Sequence, residues 1–554
     1  MPSDAPSGPG RRQFLQTLGA LGVSRFIGAS PSAGAAEFPS PAPSPSSGAE
    51  QGTFALSEIT IAGLQKAYAE RRFTSEQVVD LYLHRIDEID RAGPRLQSVL
   101  ELNPDVHAIA RQLDAERASG NVRGPLHGVP VLLKDVIDTA DRMRTTAGSL
   151  ALMGSFALRD AFIVVRLRAA GAIILGKTNL SEWSNCRSTK PTSGWSARGG
   201  LTRNPYVLDR TACGSSSGTG VAVSANLATA GIGVETDGSI SCPASANGLV
   251  GVKPTVGLLS RSGVIPISFA QDTAGPMART VTDAAMLLGA MRGVDVRDIT
   301  TDGSRGHLKE DYVAALDRDS LSGARIGVMR VHYESVAPVG PVFTEALDAI
   351  RDAGATVIDD VNVPRIEDLQ RAEVVVLLCE FKDMIREYLS TRGPEERHRT
   401  LADLIQFNIE NAETELRWFG QEWFEAAEAT SGRNTPDYLP ALSRCRMLAR
   451  TQGIDKAIAE RRLDAIVSVA AGPAFAIDLL NGDHPMPTSA SLSAVAGYPR
   501  VTVPAGQVLG LPVGISFMGP AWSESRLLSL AFAFEQHTHA RKPPRFLPTA
   551  NFDR

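Results

Sequence analysis

The stretch from Thr211 to Pro254, TACGSSSGTGVAVSANLATAGIGVETDGSISCPASANGLVGVKP, constrains the fold more than any other. Two loops rich in Gly and Ser, CGSSSGTG (213–220) and ETDGSISCP (235–243), bracket a small, apolar segment. Glycine belongs where a chain needs positive φ or must pass close to another group. Here it clusters around the candidate nucleophiles Ser215, Ser216, Ser217, Ser239 and Ser241. The first loop reads as the entry to a helix, and ATAGIGV as a buried strand that ends at the second loop. Backbone N–H groups exposed by such loops suit an oxygen that becomes negatively charged.

The rest of the chain supplies an alternation of helix and apolar strand. Thr74 and Gln77 form a capping box ahead of VVDLYLHRIDEID, where Val78, Tyr82, Ile86 and Ile89 recur at helical spacing. VPVLLK reads as a short buried strand with Lys134 at its end. Residues 160–183 read as helix, a stop at Gly171, then the strand AIILGK. LDAIVSVA (463–470) is a further strand, and GLPVGISFMG (510–519) followed by SRLLSLAFAFEQ (525–536) repeats strand then helix. Residues 341–450 are helical in pattern. This alternation predicts a layered α/β architecture.

Composition narrows the function. The net charge is −5 over 554 residues and no basic block follows the first 12, which leaves nucleic-acid binding without electrostatic support. Nine histidines are scattered without HExxH, so no metal site is expected. The five cysteines, Cys186, Cys213, Cys242, Cys379 and Cys445, include no CxxC pair and read as buried free thiols. Residues 1–36 carry Arg11-Arg12, a weakly apolar run and Ala33-Gly34-Ala35 at cleavage spacing. They read as a twin-arginine export signal to the periplasm or beyond, with no stable membrane insertion. Arg25 within the run favours the alternative, a cytoplasmic tail. Residues 37–55 are a Pro/Ser-rich linker, and residues 56–554 form the main domain.

Gly214-Ser215-Ser216-Ser217-Gly218 matches the nucleophile elbow GxSxG, but that motif needs an apolar strand directly before it, and PYVLDRTAC is not one. Taken singly, a lysine ending a strand is ordinarily a paired or solvated charge, and a serine in a Gly-rich loop is ordinarily a turn residue. Three contexts read together say more: Lys134 in GVPVLLKD, Ser215 in the first loop and Ser239 in TDGSI. With KTNLSEW (177–183), SGWSARGGLTRNPY (193–206), GLVGVKPTVGLLSRSGVIPIS (248–268), QDTAGPMART (271–280) and LPVGISFMGP (511–520), the chain resembles the amidase signature family over roughly residues 56–540. Within that family it is most similar to bacterial peptide amidases.

The resemblance implies a single amidase-signature domain, α/β, with a large mixed β-sheet covered by helices on both sides. It implies Ser239 as nucleophile, Ser215 as bridging serine 24 residues upstream, and Lys134 as base. A cis peptide bond is implied at or next to Gly214–Ser215. The backbone N–H groups of Thr236, Asp237, Gly238 and Ser239 would form the oxyanion hole. Ser216 and Asn179 are candidate substrate contacts, though Asn179 reads more readily as scaffold. The chemistry fits the residue types: a serine hydroxyl needs an adjacent base, and burial on an apolar strand favours the neutral form of lysine. The implied reaction is hydrolysis of a small-molecule or peptide amide, a C-terminal amide releasing ammonia, with no cofactor. Ester, aryl-acylamide and carbamate hydrolysis on the same residues, and an amidotransferase-subunit role, are the alternatives. The expected state is monomer or homodimer. The segment 467–483 is expected to line the substrate pocket.

Overall fold

The computed structural model describes residues 54–330, 338–359, 361, 363–486 and 488–551. Residues 1–36, read above as an export signal, and residues 37–53 of the expected linker lie outside the described residues. The compact unit begins at Phe54, whose ring packs 6.0 Å from that of Tyr82 and under Arg85.

Thirteen strands are present among the described residues: β1 (Val99–Leu102), β2 (Pro130–Lys134), β3 (Ile173–Thr178), β4 (Trp195–Ser196), β5 (Gly200–Leu201), β6 (Ala230–Glu235), β7 (Val250–Lys253), β8 (Thr273–Ala278), β9 (Arg325–Val328), β10 (Thr356–Ile358), β11 (Ala465–Val469), β12 (Arg500–Val508) and β13 (Leu511–Met518). β4 and β5 pair with each other, and the other eleven form one sheet in the order β1-β3-β2-β6-β8-β7-β12-β13-β11-β9-β10. The sheet is mixed. β3, β2 and β6 are parallel neighbours, as are β11, β9 and β10, while β8, β7, β12 and β13 run in antiparallel pairs between them. Helices cover both faces, so this is a single α/β domain with a large mixed sheet.

The expected elements are present. Every residue of PVLLK and of AGIGVE is buried, as a parallel strand covered on both faces requires. The capping box forms: Thr74 Oγ1 accepts from Gln77 N and Thr74 N donates to the Gln77 side chain. The helix Phe162–Ala169 ends ahead of Gly171 and leads to β3. β13 is followed by the helix Glu524–Thr538. One long strand, β12, was not expected, because Pro504 lies within it. Proline cannot donate to a ladder and is confined to edges and bulges; here the register with β13 shifts between Pro504 and Gly506, which accommodates it.

Candidate active site

The register of β2 against β6, with Leu133 opposite Ile232, sets the end of β2 beside the end of β6. Lys134 is fully buried there, and its Nζ donates to Ser215 Oγ at 2.6 Å and to the Val234 carbonyl at 3.1 Å. Burial favours the neutral amine and lowers its pKa to about 7, against a weaker upward pull from the Asp272 and Glu235 carboxylates. A neutral amine at this place can accept a proton from the hydroxyl it touches.

Ser215 lies in the turn that feeds the helix Ser217–Ser224, and the Gly214–Ser215 peptide bond is cis. Its carbonyl accepts from Ser181 N at 3.1 Å. The helix starts against the Asn179 backbone. A Cβ at Gly218 would lie 2.4 Å from the carbonyl oxygens of Asn179 and Ser98, so only glycine fits. No strand precedes the loop, which removes the elbow reading of GxSxG. Ser216 is buried, and its Oγ exchanges hydrogen bonds of 3.2 Å with Val234 N and O.

The second loop turns at Gly238, whose φ of +81° favours glycine. Glu235 ends β6 and points forward: its Oε2 accepts from Ile240 N (2.8 Å), Ser241 N (2.9 Å) and Ser241 Oγ (2.8 Å), capping the helix Ser241–Ala246. That carboxylate takes up the amides beyond the turn. Among the described residues the amides of Thr236, Asp237, Gly238 and Ser239 donate to no protein acceptor. Four successive free donors beside a serine are suited to a developing oxyanion. Thr236 Oγ1 donates to Asp272 Oδ1 at 2.6 Å, and Asp237 Oδ2 accepts from Ser491 Oγ at 2.6 Å. Ser216 N donates to the Ser239 carbonyl at 3.2 Å, joining the two loops. No hydrogen bond links the Ser215 and Ser239 hydroxyls among the described residues.

The loops are also joined covalently. Cys213 and Cys242 form a disulfide with Cα atoms 5.9 Å apart. This corrects the expectation of five free thiols. The two cysteines are 29 residues apart with no CxxC signature, and only the packing of one loop on the other brings them together. Cys186, Cys379 and Cys445 are free.

Ser239 opens onto a cleft of about 260 Å³, with Thr236, Asp237, Asn185, Ile267, Leu377 and Trp423 on its walls. A larger cavity of about 590 Å³ includes Val234 and Asp272 but neither Ser239 nor Lys134. One wall of the cleft, with Ser184 and Asn185, was not legible beforehand: Trp183, Ser184 and Asn185 are consecutive non-glycine residues with φ of 49°, 55° and 69°. Glu235, Asp272 and Glu373 were also missed. Their only signals are an acid at the strand end before a Gly-Ser turn and acids isolated among apolar residues.

Two expected contacts lie elsewhere. Asn179 is fully buried, and its Nδ2 reaches Gly194 O, Gly200 O and Thr202 Oγ1 while Oδ1 accepts from Ser196 Oγ at 2.7 Å, a scaffold role. None of residues 467–483 is on the walls of this cleft. Val467–Val469 belong to β11, and the stretch after it packs on 190–193 and 209–211, through Asp483 N to Pro191 O, Asp483 Oδ1 from Ser193 N, and Ile477 N to Asp209 O. No group of three His, Cys, Asp or Glu side chains among the described residues is placed to hold a metal ion. No helix among them is long and apolar enough to cross a membrane.

Known proteins share this architecture. The model of the family described as Amidase matches residues 77–528. A "Probable amidase" of Arabidopsis thaliana is 44% identical over 506 residues, covering 89% of this chain and 93% of its own length. The crystal structure of native peptide amidase from Stenotrophomonas maltophilia aligns with a TM-score of 0.86 at 50% identity, over 89% of this chain and 99% of that one. A structure of peptide amidase with the competitive inhibitor chymostatin aligns equally well. The crystal structure of an amidase family protein from Bacillus anthracis aligns at 36% identity with a TM-score of 0.80, over 88% of this chain and 92% of that one. The chain belongs to the amidase signature family and is an amide hydrolase.

Proposed function

We propose that the protein cleaves C-terminal amides of peptides or amino acids, releasing ammonia, through an acyl group carried on Ser239. The observation that carries this reading is the 2.6 Å contact of the buried Lys134 Nζ with Ser215 Oγ, one loop away from the free amides at 236–239.

In this cycle a neutral Lys134 takes the Ser215 proton as Ser215 takes that of Ser239, and Ser239 Oγ attacks the amide carbon. The carbonyl oxygen becomes negative against the 236–239 amides. The leaving amine takes a proton back by the same relay, and water then releases the acid. Such donors each lower the barrier by about 2.7–4 kcal/mol where measured in other enzymes. The likeness to peptide amidase supports the primary amide of a peptide as substrate.

The test is a panel of peptide amides, anilides, esters and carbamates, read by released amine or alcohol, in the wild type and in Ser239→Ala and Ser216→Ala. Peptide amides should be turned over fastest. Ser239→Ala should lose about 10³-fold or more, and Ser216→Ala should stay within about tenfold. Faster carbamate or ester turnover would overturn the substrate assignment, and an active Ser239→Ala would overturn the mechanism.

A further inference from the structure

The long helix Ile366–Ser390 puts Leu377 on the cleft wall and carries Glu373 one turn before it. Glu373 is 4% exposed, and its Oε1 accepts from Gln271 Nε2 at 2.8 Å. The same Gln271 nitrogen lies 3.3 Å from the Thr236 carbonyl, so this cluster grips the free-amide turn from behind. The Glu373 and Asp237 carboxyl groups are close enough for each to act on the charge of the other. Asp237 Oδ2 is occupied by Ser491, and its Oδ1 is buried and meets no donor unless Glu373 carries a proton.

Two buried carboxyl groups in contact cannot both ionise without strong repulsion. One proton between them turns that repulsion into a short, charge-assisted hydrogen bond. We propose that Glu373 is a positioning residue: its protonated carboxyl donates to Asp237 and holds the 236–239 turn with its amides aimed into the cleft. Burial, and after it the Asp237 charge, raises the Glu373 pKa well above the ordinary carboxylate range, which favours the form that can donate. Losing this proton leaves two carboxylates pushing the turn apart. The other charged or titratable groups facing the pair are Glu235 on β6, Arg500 on β12, Lys253 on β7 and Cys445 on the helix Tyr438–Arg446. Lys253 is itself lowered to about 8 by burial, so an alkaline transition in the wild type alone does not identify Glu373.

The inference rests on Ser239 as the nucleophile, and the experiment separates the two. The measurement is kcat for a peptide amide from pH 6 to 10.5 in the wild type, Glu373→Gln, Glu373→Leu, Ser491→Ala and Ser239→Ala, with Tm recorded for each. The wild type should decline on the alkaline side. Glutamine keeps an N–H donor for Asp237 and an oxygen for Gln271 at every pH, so Glu373→Gln should move the decline up by more than about one pH unit. Glu373→Leu should lose about 10²-fold in kcat with KM little changed, and glutamine should recover most of that loss. Ser491→Ala removes a donor that stabilises the Asp237 anion, so the pair should hold its proton to higher pH and the decline should again move up. This arm stands even if a Glu373 variant fails to fold. Alkaline limbs of Glu373→Gln and Ser491→Ala that superimpose on the wild type, with Ser239→Ala inactive, would overturn the role of Glu373 alone. Activity persisting in Ser239→Ala would instead overturn the reading on which it rests.

Discussion

Cys213 and Cys242 are covalently joined, so the chain directly ahead of the cis Gly214–Ser215 bond is tied to the helix that begins two residues after Ser239. Closing a loop of this length removes conformational entropy from the unfolded chain, about 3–4 kcal/mol in the simplest treatment. Paired Cys213→Ser and Cys242→Ser substitutions should therefore lower Tm by several degrees. Because both loops of the proposed catalytic site lose a tether, kcat should fall more than the remaining folded fraction accounts for. Calorimetry beside active-site titration measures both, and an unchanged Tm would contradict the prediction.

Lys134 should dominate the acid side of the pH profile. Its amine has a pKa near 7 in the fold, against about 10.4 in an unfolded chain. Activity should fall about tenfold per pH unit below 7 as the amine is protonated. Stability follows the same sign: between pH 7 and 10.4 the unfolded state binds more protons, so this lysine makes the protein more stable as pH rises through that window. Lys134→Met removes that dependence. Relative to the wild type it should be favoured at pH 6 over pH 9 by about 2–3 kcal/mol, and it should be inactive at both. Equal relative stabilities, measured by denaturant unfolding at the two pH values, would show that the amine is charged in the fold.

Gly238 should not tolerate a side chain. Its φ of +81° places alanine in a region that costs about 1–2 kcal/mol, and relief of that strain rotates the adjacent amides. Gly238→Ala should lose about 10²-fold in kcat while KM changes little. Steady-state kinetics on a peptide amide decides this, and a loss confined to KM would argue against the 236–239 amides as oxyanion donors.

Asn179 should behave as scaffold. Its buried carboxamide nitrogen lies within hydrogen-bond distance of four backbone or side-chain acceptors, and its oxygen accepts from Ser196. Asn179→Ala should cost about 2–4 kcal/mol of stability through groups left unpaired, with KM unchanged for whatever protein remains folded. A raised KM at full stability would return it to the substrate site.

Much of the site could be read in advance because its parts are local in sequence. PVLLK is buried end to end, so the place of Lys134 follows from the strand alone. The turn at Gly238 and the helix after Ser216 follow from glycine and small residues. What was hidden depends on tertiary contact. The Cys213–Cys242 bond needs one loop laid on the other, and β12 is disguised by Pro504, which only its bulge makes acceptable. The left-handed run Trp183–Asn185 has no glycine to announce it. Glu373 sits in a helical region whose pattern says where it is buried but not which loop it meets. The small and apolar residues of 467–483 suit a pocket wall and equally suit the packing on 190–193 that the stretch after β11 makes.

The central claim is that Ser239, activated through Ser215 by Lys134, carries the acyl group. The most direct measurement is acid quench of the enzyme during turnover of an activated acyl ester, followed by digestion and mass spectrometry of the labelled peptide. The acyl mass should sit on Ser239, and it should be absent from Ser239→Ala and strongly reduced in Lys134→Met. Label on Ser216, on Ser241 or on any other side chain, or full labelling without Lys134, would contradict the account.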